Sequence, residues 1–199
     1  MKHALKHALA AIVLVLSFAA PVAAGPIEDA DAAYSKGNYA LALRLVRPLA
    51  DNGDAEAQAF LGVIYKKGMG VPQDYDEAMK WLRLSADQGN VNGQNSLGGF
   101  YENGRGVSQD YATAMKWYRR SAEQGDVAGQ FYVGSFYALG KGVPVDNVSA
   151  YMWFNLSAAQ GDTLAGVMRN KIATVMTPAQ IAEAQKLARE WKPTKQPSR

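Results

Sequence analysis

The chain has 199 residues, a formal net charge of +3 and no cysteine. Its 48% apolar and 20% charged composition is that of a globular chain, not a disordered one. Zero cysteine excludes a disulfide framework, a thiolate zinc site and a cysteine nucleophile. Both histidines, His3 and His7, fall in the first ten residues.

The N-terminus reads as an export signal. Lys2 and Lys6 give a basic start, and Ala8–Ala20 is apolar apart from Ser17. Those 13 residues fall short of the roughly 20 that span a bilayer as a helix. Pro21 breaks the run, and Val22-Ala23-Ala24 supplies the small residues of a cleavage site. We expect residues 1–24 to be removed, with cleavage after Ala24, and a periplasmic or secreted location. The mature chain then has neither His nor Cys, so no metal or cofactor site is expected. Losing two lysines leaves 19 basic against 18 acidic residues. No basic stripe for nucleic acid remains. No second long apolar run follows, so the mature form is expected to have no membrane span.

The remainder is periodic. Tyr65, Tyr101 and Tyr137 recur every 36 residues, as do Trp81, Trp117 and Trp153, and Asp74, Asp110 and Asp146. Three tandem units follow: Ala55–Asn90, Val91–Asp126 and Val127–Asp162. Each reads as two helices. Leu61, Gly62 and Tyr65 share one face of the first, with Ala57 and Gln58 a turn earlier. A Gly-rich loop, Gly68–Pro72, leads to Asp74 as N-cap, with Glu77 as its capping-box partner. Ala78, Trp81, Leu82, Ser85 and Ala86 carry the second helix. Gly89 ends it as a left-handed residue, and Asn90 caps the next unit. Gly62, Gly98, Ala78, Ala114 and Ala150 are small where helices must approach. Trp and Tyr fill the space between units.

The ends are degenerate, as terminal units of a solenoid should be. Residues 25–54 form a shortened capping unit, in which Tyr34, Gly37, Tyr39 and Ala42 keep the pattern. Residues 163–191 are expected to form a C-terminal capping helix pair. Its last helix starts with Thr177 as N-cap and Pro178 at the first helical position. Ile181, Ala184, Leu187 and Trp191 should form its buried stripe. Residues 192–199 are expected to be a disordered tail.

The unit A-x-A-Q-x-x-L-G-x-x-Y-x-x-G-x-G-V-x-x-D-Y-x-x-A-x-x-W-x-x-x-S-A-x-Q-G resembles the Sel1-like repeat of the tetratricopeptide superfamily. Asn147 departs from it where the earlier copies carry Tyr75 and Tyr111. Val133 departs where they carry Leu61 and Leu97. The resemblance implies an all-α, right-handed solenoid whose concave face binds other proteins. Exported bacterial members are similar to modules that tune envelope signalling or act at a host interface. Cysteine-rich relatives linked to β-lactam binding or hydrolysis carry a disulfide in each repeat, which this chain lacks.

The residues suited to catalysis have structural uses in this pattern. Ala138–Gly142 resembles a phosphate loop, but Lys141 is followed by Gly142, and Gly134 is one residue too far from Gly140. Asp74, Asp110 and Asp146 are a repeat length apart and cap helices. Ser85, Ser121 and Ser157 lack a histidine base and occupy a buried small-residue register. A non-catalytic scaffold is therefore expected. Its rivals are an enzyme acting on β-lactams or peptidoglycan and a secreted host-interaction factor.

The resemblance places the partner site on first-helix positions two, five, nine, twelve and thirteen, counting Ala55 as one. In the first unit these are Glu56, Ala59, Val63, Lys66 and Lys67. In the second they are Asn92, Asn95, Gly99, Glu102 and Asn103. In the third they are Ala128, Phe131, Ser135, Ala138 and Leu139. The groove would run from charged, through amide-rich, to apolar. That gradient suits an extended peptide of a partner protein, with Phe131 as the dominant anchor.

Overall fold

The computed structural model describes residues 25–194. The expected export signal, residues 1–24, and residues 195–199 of the expected tail lie outside the described residues. Ten helices follow in order, with no strand among the described residues. They are α1 (Pro26–Ser35), α2 (Tyr39–Asp51), α3 (Ala55–Lys67), α4 (Tyr75–Asp87) and α5 (Val91–Asn103). The second half comprises α6 (Tyr111–Glu123), α7 (Val127–Leu139), α8 (Asn147–Ala159), α9 (Thr163–Ala173) and α10 (Pro178–Glu190).

The repeated boundaries have chemical causes. Asp54, Asn90, Asp126 and Asp162 cap the first helices, each accepting the N–H of the third helical residue. Asp74, Asp110 and Asp146 do the same for α4, α6 and α8. Glu77 makes no reciprocal capping-box bond; its carboxylate accepts instead from Trp81 Nε1 at 3.1 Å and Lys80 Nζ at 3.1 Å. First helices end at Gly68, Gly104 and Gly140, with φ of +68°, +63° and +66°. A side chain there would be strained, so glycine stops the helix and turns the chain into the loop.

From α1 to α9 each helix packs on the next. Their close approach rests on absent side chains. A Cβ on Gly62 would lie 2.6 Å from Leu82 Cγ, and one on Gly98 would lie 2.5 Å from Tyr118 Cε1. Ala78, Ala114 and Ala150 are fully buried opposite. First helices of neighbouring units also meet, α3 with α5 and α5 with α7, more closely than second helices do. That difference curves the array, with the first helices on its inner, concave face.

An amide ladder, with Gln58, Gln94 and Gln130 buried, fastens the units. Gln58 Nε2 donates to Ala50 O, and Gln88 Nε2 donates to both Gln58 Oε1 at 2.8 Å and Gly53 O at 3.0 Å. Gln124 repeats this on Gln94 and Gly89, and Gln160 on Gln130 and Gly125. These bonds satisfy carbonyls left open at the helix ends.

The C-terminal end departs from expectation. α9 and α10 do not form a packed pair; α10 folds back on α8. The cause is legible in the register. Arg169 and Asn170 stand where earlier units have Leu61-Gly62, Leu97-Gly98 and Val133-Gly134, so α9 lacks the small apolar surface on which the second helix of its own unit would pack. The stripe of α10 also differs: Ala184 and Ala188 are buried, whereas Leu187 is 36% exposed. Trp191 packs edge-on against Trp153 at 6.0 Å. Thr194 N–H then donates to Glu123 O at 2.7 Å, so Lys192–Thr194 run back across the second-helix side.

Candidate functional site

The concave face holds an open groove of about 390 Å³ built by α1, α3, α5 and α7. Its apolar floor is Ile27, Ala59, Phe60, Val63 and Tyr132. Asp31 and Glu56 are exposed at one end, and Asn92, Asn95 and Ser96 follow along the wall. Tyr132 is held rigid by stacking on Tyr118, with ring centroids 4.4 Å apart. Asn95 Nδ2 donates to Asp126 Oδ2 at 2.7 Å, while its Oδ1 is buried without a hydrogen-bond partner. The groove thus offers carboxylates and amide side chains beside aromatic surface.

Of the residues singled out from the sequence, Glu56, Val63, Asn92 and Asn95 meet here, with Ala59 and Ala128. The others do not line the groove. Lys66 Nζ lies 5.7 Å from the centre of the Phe100 ring, and Lys67 Nζ lies 5.5 Å from that of Tyr34. Burial, and then the nearby Arg105 and Lys67 charges, hold the Lys66 ammonium below its ordinary pKa. Glu102 accepts from Tyr118 and Lys141, and Asn103 Nδ2 donates to Gly99 O within its own helix. Phe131 packs on Phe154 at 5.7 Å, beside the apolar cluster of Ala150, Phe154 and Ala165. Ser135 Oγ donates to Phe131 O at 3.0 Å, and Leu139 is 64% exposed beyond the groove.

The sequence reading missed Ile27, Asp31, Phe60, Ser96 and Tyr132. Phe60, Ser96 and Tyr132 occupy position six of each unit, which varies as freely as the positions chosen. That variation was the available signal.

The groups suited to catalysis are committed elsewhere. Ser85 Oγ donates to Ala55 O at 2.6 Å, Ser121 Oγ to Asp126 Oδ2 at 2.9 Å, and Ser157 Oγ to Val127 O at 3.0 Å. All three serines are fully buried. Gly140 and Gly142 repeat the left-handed turn of Gly68 and Gly70. Lys141 pairs with Glu102 at 2.9 Å and faces no open phosphate cradle. Among the described residues no three His, Cys, Asp or Glu side chains cluster as metal ligands, and no helix is long and apolar enough to cross a membrane.

Tandem helix pairs with a lined inner groove define an α-solenoid repeat protein. The Sel1 repeat profile matches residues 55–90, 91–126 and 127–162, more than half of the sequence, and the chain belongs to that family. Sel1 repeat proteins are in general protein-interaction scaffolds. A Sel1 repeat protein from Oxalobacter formigenes is 38% identical, with a TM-score of 0.60, over 65% of this chain and 97% of that one. The c5321 protein, a protective antigen present in uropathogenic Escherichia coli strains and displaying an SLR fold, is 24% identical with a TM-score of 0.57. That match covers 83% of this chain but 44% of the antigen, and its likeness is one of fold. No curated protein matches the chain significantly.

Proposed function

We propose that this chain is a non-catalytic scaffold of the bacterial envelope, exported by residues 1–24, that binds an extended segment of a partner protein in its concave groove. The observation that carries this reading is the groove itself. It joins the first helices of four successive units around an aromatic floor. Its polar wall carries carboxylates and amides: Asp31, Glu56, Asn92 and Asn95. An extended peptide supplies backbone N–H donors at regular spacing, and a Lys or Arg side chain on it would meet the two carboxylates. Tyr132 is then the anchor, because rigid aromatic side chains dominate binding energy. No observed geometry favours an enzyme, since the serines are buried and bonded.

The test is affinity capture from a crosslinked envelope fraction, comparing the parent with Tyr132→Ala and Asn95→Leu. A specific partner retained by the parent and lost by both folded variants supports the reading. A partner retained equally by all three would place the contact surface elsewhere. Mass spectrometry of the mature protein should find Gly25 first; an intact Met1 would refute export by cleavage.

A further inference from the structure

The side opposite the groove carries a second, chemically different site. Each unit boundary there repeats an Arg–Tyr pair with a period of 36. Arg47 Nη1 donates to Tyr65 Oη at 3.3 Å, Arg83 Nη2 donates to Tyr101 Oη at 3.1 Å, and Arg119 donates to Tyr137 Oη. The Trp of the following second helix lies beside each pair. Three equivalent boundaries could therefore look alike, yet they are finished differently.

The first boundary is neutralised. Arg47 pairs with Asp51 at 3.1 Å, and Glu77 accepts from both Lys80 and Trp81. Trp81 is 6% exposed. The third boundary is covered. Trp191 packs on Trp153, which is also 6% exposed; Met152 stands where the earlier units have Lys80 and Lys116, and Leu156 where the middle unit has Arg120. The middle boundary has neither device. Thr113 stands where Glu77 stood, and its hydroxyl is spent on Asp110 Oδ2 at 2.6 Å. Asp87, one turn beyond Arg83, forms no ion pair with it among the described residues. What remains is an open cleft of about 350 Å³ lined by Arg83, Tyr101, Thr113, Lys116, Trp117 and Arg120. Trp117 is half-buried, with the Arg120 guanidinium 4.6 Å from its ring centre.

We propose that this cleft binds an acidic peptide segment of a partner protein, with carboxylates on the three cations and an apolar side chain against Trp117. Three cations with no carboxylate in the lining call for an anion. Their arrangement selects the kind. Lys116 and Arg120 are one helical turn apart, about 6 Å along α6, and Arg83 projects from a different helix. Donors so spread match carboxylates on successive side chains rather than one compact phosphate. The lining also lacks the converging backbone N–H groups of a phosphate site. Arg120, with its guanidinium carbon 4.6 Å from the centre of the indole, has no carboxylate partner among the described residues and keeps its N–H donors for a two-pronged carboxylate bond.

The experiment is fluorescence anisotropy of a labelled peptide, four glutamates flanking one leucine, with the purified full-length protein at low salt. The parent should bind it, and a peptide with the glutamates replaced by glutamines should not bind. The double variant Lys116→Gln with Arg120→Gln should weaken binding at least tenfold and flatten its salt dependence. Lys36→Gln with Arg189→Gln, which removes two exposed charges elsewhere, should bind like the parent. An equal loss in both double variants would reduce the effect to net charge and overturn the site. So would unchanged binding in the Lys116 and Arg120 variant, with melting curves confirming that each protein folds. Displacement by inorganic phosphate at concentrations matched to the peptide would overturn the peptide assignment. None of these outcomes bears on the concave groove, which is tested by Tyr132 and Asn95.

Discussion

Tyr118 donates its phenolic hydrogen to Glu102 across 2.9 Å, and Lys141 from the next unit's loop reaches the other carboxylate oxygen, also at 2.9 Å. One carboxylate thus ties the second helix of its own unit to the loop of its neighbour. Tyr118 occupies the register of Leu82 and Phe154, so the middle unit alone places a hydroxyl there. Burial first, and then the Glu102 charge, push the phenol well above its ordinary value near 10.

A sign follows for alkaline stability. A group whose folded pKa is raised adds stability that is complete below its unfolded value and disappears as pH climbs toward the folded value. The parent should therefore lose stability more steeply above pH 10 than Tyr118→Phe does. At neutral pH the variant should cost about 2 kcal/mol, the scale of a hydrogen bond to a charged group. Urea midpoints on both sides of pH 10 read both effects; parallel slopes would show that Tyr118 titrates freely.

Two glycines in helix interiors should respond with opposite sign. Gly98→Ala drives a Cβ into the rigid Tyr118 ring and should cost about 1–3 kcal/mol through overpacking. Gly166→Ala meets nothing nearer than Ala158 Cβ at 3.8 Å. There the gain in helix propensity, about 0.5–1 kcal/mol, should prevail. Thermal melts of the two variants give the comparison directly.

The three tryptophans at one register should not be equivalent. Trp153→Ala removes a buried ring and its contact with Trp191, a loss of about 3–5 kcal/mol. Trp117→Ala should cost less, because that ring is partly exposed and faces the open cleft. Equal losses would mean that the middle boundary is as closed as the third.

The period of 36 made the repeated helices legible, because each unit carries its own cap, glycine stop and small-residue contacts. The same argument failed where information is not repeated. Tyr132 joins the groove through a stack on Tyr118, a cross-unit pairing that no spacing within one unit displays. Phe131, the largest of the chosen residues, turns instead toward Phe154. The Arg47, Arg83 and Arg119 series was visible as a period, but its meaning depends on which boundary carries Asp51, Thr113 or Trp191. Those neighbours come from different helices or from the distant C-terminus.

The last helix offers the sharpest contrast between a sequence pattern and its packing. Spacing of three and four along α10 selects Ile181, Ala184 and Leu187 as one face. However, α10 lies on α8 and not on α9, and this rotates the buried face toward Ala184 and Ala188. Leu187→Ala should then cost under about 1 kcal/mol, since its side chain is already partly in water and alanine favours the helix. Ala184→Leu should cost about 1–3 kcal/mol, because a fully buried alanine leaves no room for three added carbons. It should also loosen Trp191 from Trp153, seen as a shift in tryptophan emission toward longer wavelength. If Leu187→Ala proves the more damaging of the two, α10 packs with the face that its spacing first suggested, and its seat on α8 is wrong.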